Sequence, residues 1–383
     1  MTRRPSRRAA PLCVLLTGLL AGTLLRPTSA AHAQIEPGPA VTVKTAATGD
    51  RTPPSATARL RVDGSLSDIV ALGAADVWAV GQESVWDDWQ SRGVITHWDG
   101  RSWNTVDIRN DDAGAGRLRS VAAASPTELW AVGEGHDSRP YVARGDGSAF
   151  DRVDVAALRA GDWLGGVAAV PGRVVAVGSR DGHPMIATGT SSGWTASDRD
   201  QRGALYGVAL LSAKEGWAVG ETTRGPLVLR LSGGKWKSAR VPRIKGGFLR
   251  DVYARGAKHA VAIGGVYRSS GKIYPLALEW NGKRWSRMRV PNRAAELYGV
   301  TGDGEGSLWA VGYDPSHPHE PFVLRHTDGR WRTERGGKAG EDRTVRLQAV
   351  AHVTGLTMAV GHIVDGSGRY TDVIETVEGD EAA

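Results

Sequence analysis

Seven residues hold equivalent places along this chain, each directly after a recurring leucine: Ser67, Arg119, Gly165, Tyr206, Arg250, Tyr298 and Gln348. Trp163 and Phe248 stand just before two of those leucines. A guanidinium pairs with carboxylate, sulfate or phosphate through parallel hydrogen bonds, and an aromatic ring offers a flat face with a polar edge. Brought together, these side chains would hold an anionic or sugar-like ligand. Hydrolysis of a glycosidic bond needs more, namely two carboxyl groups flanking the bond, one with a raised pKa. Asp68 and Asp251 share one repeat position, and Asp87 and Asp88 stand in a loop, but nothing in the spacing pairs them. There is no serine elbow, metalloprotease helix or phosphate-binding loop. His317-x-His319-Glu320 lacks a third histidine nearby for zinc, and Asp365 to Arg369 lacks the later acidic ligands of a calcium loop. No catalytic residue, metal or cofactor is assigned.

The elements that must position these residues follow from a repeat. Leu-x-x-Val-type segments, each ending in a Trp-Ala-Val-Gly tract or a variant, run Leu66 to Gly81, Leu118 to Gly133, Leu164 to Gly178, Leu205 to Gly220, Leu249 to Gly264, Leu297 to Gly312 and Leu347 to Gly361. Successive starts lie 41 to 52 residues apart. Seven units of this length, each with several short strands, predict an all-β, seven-bladed β-propeller of four-stranded antiparallel blades. In blade 4 the strands are expected at Leu205–Ala209, Trp217–Val219, Leu227–Leu231 and Trp236–Val241. Gly233-Gly234, Asp99-Gly100, Asn281-Gly282 and Asp328-Gly329 are read as one two-residue hairpin turn. Blade 7 lacks an outer strand, while residues 57–62 match the outer strand Trp285 to Val290 at both arginines and the valine. The N-terminal strand is therefore expected to complete the last blade and close the ring.

Fourteen tryptophans suggest a sugar-binding surface until they are sorted. Trp78, Trp130, Trp217 and Trp309 share one repeat position. Trp103, Trp194, Trp236, Trp285 and Trp331 share another, and Trp98 and Trp280 end third strands. These eleven are expected to pack between blades. Trp86, Trp89 and Trp163 break the pattern and are candidate ligand contacts. Propeller connectivity puts the loops after second and fourth strands on one face, where they are long and varied. His136, Arg139 and His183 lie in that set and complete the candidate ligand-binding residues.

Residues 1–33 read as a secretion signal, with Arg3, Arg4, Arg7 and Arg8 before an apolar stretch and Ala31-His32-Ala33 as cleavage site. The stretch is too short for a permanent membrane span. Residues 34–56 read as a flexible lead-in, 57–378 as the propeller and 379–383 as a disordered tail. Five of the 48 basic residues and none of the 41 acidic ones precede residue 34, so the formal charge falls from +7 to +2. That balance removes the main electrostatic argument for nucleic-acid binding.

The unit Leu-x-x-Val-Ala, Trp-Ala-Val-Gly, Trp-Asp-Gly-x-x-Trp resembles the repeats of secreted bacterial β-propellers. More distantly it is similar to the photosystem II stability and assembly factor type and to the Asp-box (BNR) repeats of sialidases. The Asp box itself is absent, because Asp99-Gly100 and Asp328-Gly329 are adjacent. A sialidase-like site would also want three converging arginines and a tyrosine nucleophile, which Arg119, Arg250 and Tyr298 satisfy only in composition. The expectation is a secreted, monomeric, non-catalytic module binding an extracellular glycan or protein. The alternative is an extracellular carbohydrate-active hydrolase or lyase using the same face.

Overall fold

The computed structural model describes residues 55–56, 63–86 and 90–377. All regular structure among them is β-strand, arranged in seven sheets, with no helix. Blade 4 runs Gly203–Ser212, Glu215–Thr222, Gly225–Ser232 and Lys235–Ser238, each antiparallel to the next. Blade 2 adds a fifth strand, Ile108–Arg109, parallel to its Phe150–Arg152 strand. In blade 7, Thr344–Val353, Leu356–Val364 and Tyr370–Val377 form three long strands. Ser55–Ala56 pairs with the last of these at Glu375 and Ile374. The expected closing strand, residues 57–62, lies outside the described residues, as do the leader, the lead-in before Ser55, Trp89 and the tail.

Apolar cores fill the spaces between consecutive blades. Seven occur among the described residues, and one joins blade 7 to blade 1 through Met358, Val360 and Ile374 against Leu66, Ile69 and Val77. Packing thus completes the ring. All eleven repeat tryptophans stand in or against these cores, as their periodicity predicts. A chain with one cysteine holds no internal disulfide, so burial of such side chains, worth roughly 2–3 kcal/mol each, must carry its stability.

One backbone feature recurs in every blade. Leu66 and Ile69 enter the same core, although residues three apart on a regular strand face opposite ways. Leu249 and Val252 do the same in blade 5. The register explains it. Pairing between the first two strands skips one residue at Leu66/Asp68, Leu118/Ser120, Leu164/Gly166, Leu205/Gly207, Leu249/Asp251, Leu297/Gly299 and Leu347/Ala349. Each skip is a β-bulge, which leaves one residue unpaired and re-aims its side chain. The seven skipped residues are Ser67, Arg119, Gly165, Tyr206, Arg250, Tyr298 and Gln348. Opposite each bulge sits the repeat glycine. A Cβ on Gly81, Gly133, Gly178, Gly220, Gly264, Gly312 or Gly361 would overlap the inner-strand backbone severely.

The turns need one correction. Gly233-Gly234 and Asp328-Gly329 are two-residue turns with both φ angles positive, at 59°, 79°, 53° and 73°. Asp99-Gly100 and Asn281-Gly282 instead open four-residue turns between Trp98 and Trp103 and between Trp280 and Trp285. There the Asp99 and Asn281 Oδ1 atoms each accept two backbone N–H groups, which stabilises the longer turn. The outer strand of blade 4 ends at Ser238 rather than Val241, although the Ala239 N–H still reaches the Val228 carbonyl at 2.9 Å.

Candidate functional site

Because every inner strand bulges at the same level, the seven rim residues line one cavity on the axis, about 240 Å³ in volume. Directly after them come Asp68, Ser120 and Asp251, which join neighbouring blades. Asp68 Oδ2 accepts from Ser120 Oγ at 2.6 Å and from the Val121 N–H at 2.9 Å, both in blade 2. Its Oδ1 accepts from the Ile69 N–H at 2.9 Å. Ser120 Oγ in turn accepts from the Val167 N–H of blade 3 at 3.1 Å. Asp251 repeats the arrangement, accepting from Val252 at 2.7 Å and from Val300 of blade 6 at 2.8 Å. These groups satisfy amides that the inner strands would otherwise leave unpaired at the channel. Burial pushes Asp68 up to about 7, and the nearby Asp251 adds to the rise against three hydrogen bonds that lower it. Burial also raises Asp251.

Around the mouth, cations and rings alternate across blades 2 to 5. The Arg119 guanidinium lies 5.3 Å from the centre of the Trp163 ring, and Trp163 meets Tyr206 edge-on at 5.8 Å. Arg250 lies 5.0 Å from Tyr206 and 5.2 Å from Phe248, which packs on Tyr267 at 4.9 Å. Such contacts are worth ~0.5–2 kcal/mol each and hold the guanidinium planes in place. Gly165 belongs to this design, since a Cβ there would strike the Trp163 ring.

Three glutamates flank the ladder. Glu134 pairs with Arg119, Glu221 accepts from the Tyr206 hydroxyl at 2.6 Å, and Glu296 accepts from the Tyr298 hydroxyl at 2.7 Å. Burial first, then these carboxylates, raise both phenols, so they stay protonated donors. Arg346 donates to the Tyr298 hydroxyl oxygen at 3.3 Å and lies 4.0 Å from the Tyr313 ring centre. Burial and then Arg119 bring Arg117 down to about 10. Burial, Arg346 and Arg117 bring His362 down to about 3, leaving it neutral beside Ser65 Oγ at 3.0 Å. Nε of Arg250 is buried without a hydrogen bond. The mouth can therefore present cations, phenols and ring faces to a ligand.

Arg119, Tyr206, Arg250, Tyr298 and Gln348 thus meet on the axis, with Trp163 and Phe248 packed beside them. The other candidates do not join them. Trp86 is 56% exposed and touches Tyr370 edge-on at 5.6 Å. His136 bonds the Ser91 carbonyl at 2.6 Å, Arg139 is exposed, and His183 bonds the Arg199 carbonyl at 2.9 Å behind the two-residue turn Asp181-Gly182. His317 faces the buried Asp314, and His319 bonds the Arg343 carbonyl. Among the described residues no group of three potential metal ligands forms. Asp365 Oδ1 is taken up by Ser367 and Arg369 of its own loop. The sequence reading missed Arg117, Glu296 and Arg346, which precede the repeat leucine as Trp163 and Phe248 do. It also missed Glu134, Glu221 and Tyr313, which follow the repeat glycine. The repeat register alone would have flagged both positions.

No protein-family model matches the chain, and no curated protein matches it. Solved structures do. The structure of YCF48 bound to D1 peptide aligns with a TM-score of 0.57 at 13% identity, covering 87% of this chain and 100% of that one. The WD40 β-propeller domain of Doa1 aligns at 0.57 and 12% identity, covering 86% of this chain and 97% of its own. Sqt1 from Chaetomium thermophilum aligns at 0.52 and 14% identity over 85% and 87%. At these identities the likeness establishes a propeller fold, an architecture that hosts many unrelated functions.

Proposed function

We propose that this protein is a secreted, non-catalytic binding module whose loop-rich face and channel mouth take an extracellular glycan or protein partner. The observation carrying this reading is the Arg119–Trp163–Tyr206–Arg250–Phe248 ladder at the axial opening. Its guanidinium groups suit carboxylate or sulfate, and its rings suit the apolar faces of sugars or peptide side chains. That a propeller of similar fold is bound to a peptide is consistent with a protein partner. The test is a glycan array and a cell-envelope pull-down with the wild type, Arg250→Ala and Arg119→Ala. Capture by the wild type that weakens at least tenfold in either variant supports the reading. Equal capture by all three removes it.

A second reading, an extracellular carbohydrate-active hydrolase or lyase, draws on one observation: Asp68 and Asp251 share the channel and both are raised. Against it, their oxygens already accept backbone amides. Release of sugar from a polysaccharide panel, lost in Asp68→Asn, would favour this second reading.

A further inference from the structure

The seven blade interfaces can be compared with one another. At each, the residue opening the Trp-Ala-Val-Gly tract of one blade packs against the next blade. Between blades 4 and 5 that residue is Trp217, which meets Trp280 at the end of the third strand at 5.1 Å. Between blades 1 and 2, and 2 and 3, the third strand offers Gly145 and Gly189, and Phe150 and Trp194 fill the space against Trp78 and Trp130. Trp309 meets Val377 between blades 6 and 7, and Met358 meets Trp98 between 7 and 1. Val175, between blades 3 and 4, is covered by Trp236.

At the interface between blades 5 and 6 the two equivalent places hold Val261 and His326, and the outer-strand Trp331 packs on His326 at 5.0 Å much as Trp236 covers Val175. A cavity of about 150 Å³ lies there, with Tyr253, Val261, Met288 and Leu308 among its apolar lining and Arg255, Glu279 and His326 among its polar lining, open at the short-turn face. Burial lowers the pKa of His326 against the Glu279 charge and backbone groups of Gly306 and Gly329, which raise it, and its buried Nδ1 has no hydrogen bond of good geometry. A cavity of this size, part apolar and part polar, has room for a single aromatic ring carrying a polar atom. Met288 supplies a polarizable wall for such a ring, and His326 a polar atom at its edge.

We propose that this cavity is a second binding site, for a small aromatic molecule with one hydrogen-bonding atom, of the size of phenol or indole. The guest takes the room that tryptophan fills between blades 4 and 5, with its polar atom towards His326. The site lies apart from the channel mouth and does not depend on the role proposed there.

Indole is the probe, titrated into the full chain carrying 13C-methyl methionine. Met288 lines the cavity, whereas Met185 and Met358 belong to other interfaces. Saturable movement of the Met288 signal, with Met185 and Met358 still, is the expected result. Saturating indole should also raise Tm by ~2 °C. In Val261→Trp the built-in indole should occupy the cavity and abolish the Tm response, whereas Arg250→Ala should retain it. A stationary Met288 signal would overturn the proposal whether or not Val261→Trp folds. So would an unchanged indole response in a folded Val261→Trp.

Discussion

At the scale of single residues, protonation of buried groups links the site to stability. Asp68 and Glu375 are both pushed up to about 7, chiefly by burial. Each keeps a proton in the folded state that the unfolded chain releases near pH 4, so their contribution declines as pH rises from about 4 to 7. Glu375→Gln should therefore gain stability relative to the wild type between pH 5 and 8, read as the difference in Tm. A difference constant across that range contradicts the assignment. His362 works in the opposite sense. Its folded pKa near 3 means stability is present above about 6.5 and is lost as pH falls towards 3. His362→Gln should accordingly lose less stability than the wild type between pH 6.5 and 4. Residue types at the rim were legible because the repeat leucine marks their place. Their partners were not. Which glutamate reaches Arg119 or Tyr206 depends on pairing across the bulge, and propensity carries no information about that register.

At the scale of the strand, the bulge joins sequence to site. Its trace was present in the sequence as the odd spacing of Leu66 and Ile69, or of Leu347 and Val350. The repeat placed the strands, but a regular strand gives no reason for the side chain between those two residues to turn to the axis. The repeat glycine shares the cause, because it admits the bulged backbone. Gly220→Ala, whose Cβ would overlap the Ala204 carbonyl, should destabilise the protein by ~3 kcal/mol or more in urea unfolding. Gly73→Ala, with nothing within 4 Å of the added carbon, should change stability little. Equal effects would show that the backbone approach does not matter. The hairpins show the limit of dipeptide signals. Asp-Gly gave a two-residue turn at 328–329 and a four-residue turn at 99–102, where the Asp99 carboxylate caps two amides.

At the scale of the whole ring, the repeat count made seven blades and their buried tryptophans legible before any coordinate. It did not reveal the cavity between blades 5 and 6, because Val261 and His326 are unremarkable until set beside Trp217 and Trp280. Residues 57–62, read as the closing strand, are tested by deleting 55–62. A fall in Tm of several degrees is expected, and an unchanged Tm would leave blade 7 complete without them. The claim on which the account turns is that the axial mouth binds. Its most direct test compares the apparent dissociation constants of the wild type and Arg250→Ala for every hit on one array of acidic and neutral extracellular glycans. The account predicts acidic hits weakened at least tenfold in a variant whose Tm is unchanged. Hits of equal affinity in both proteins would contradict it.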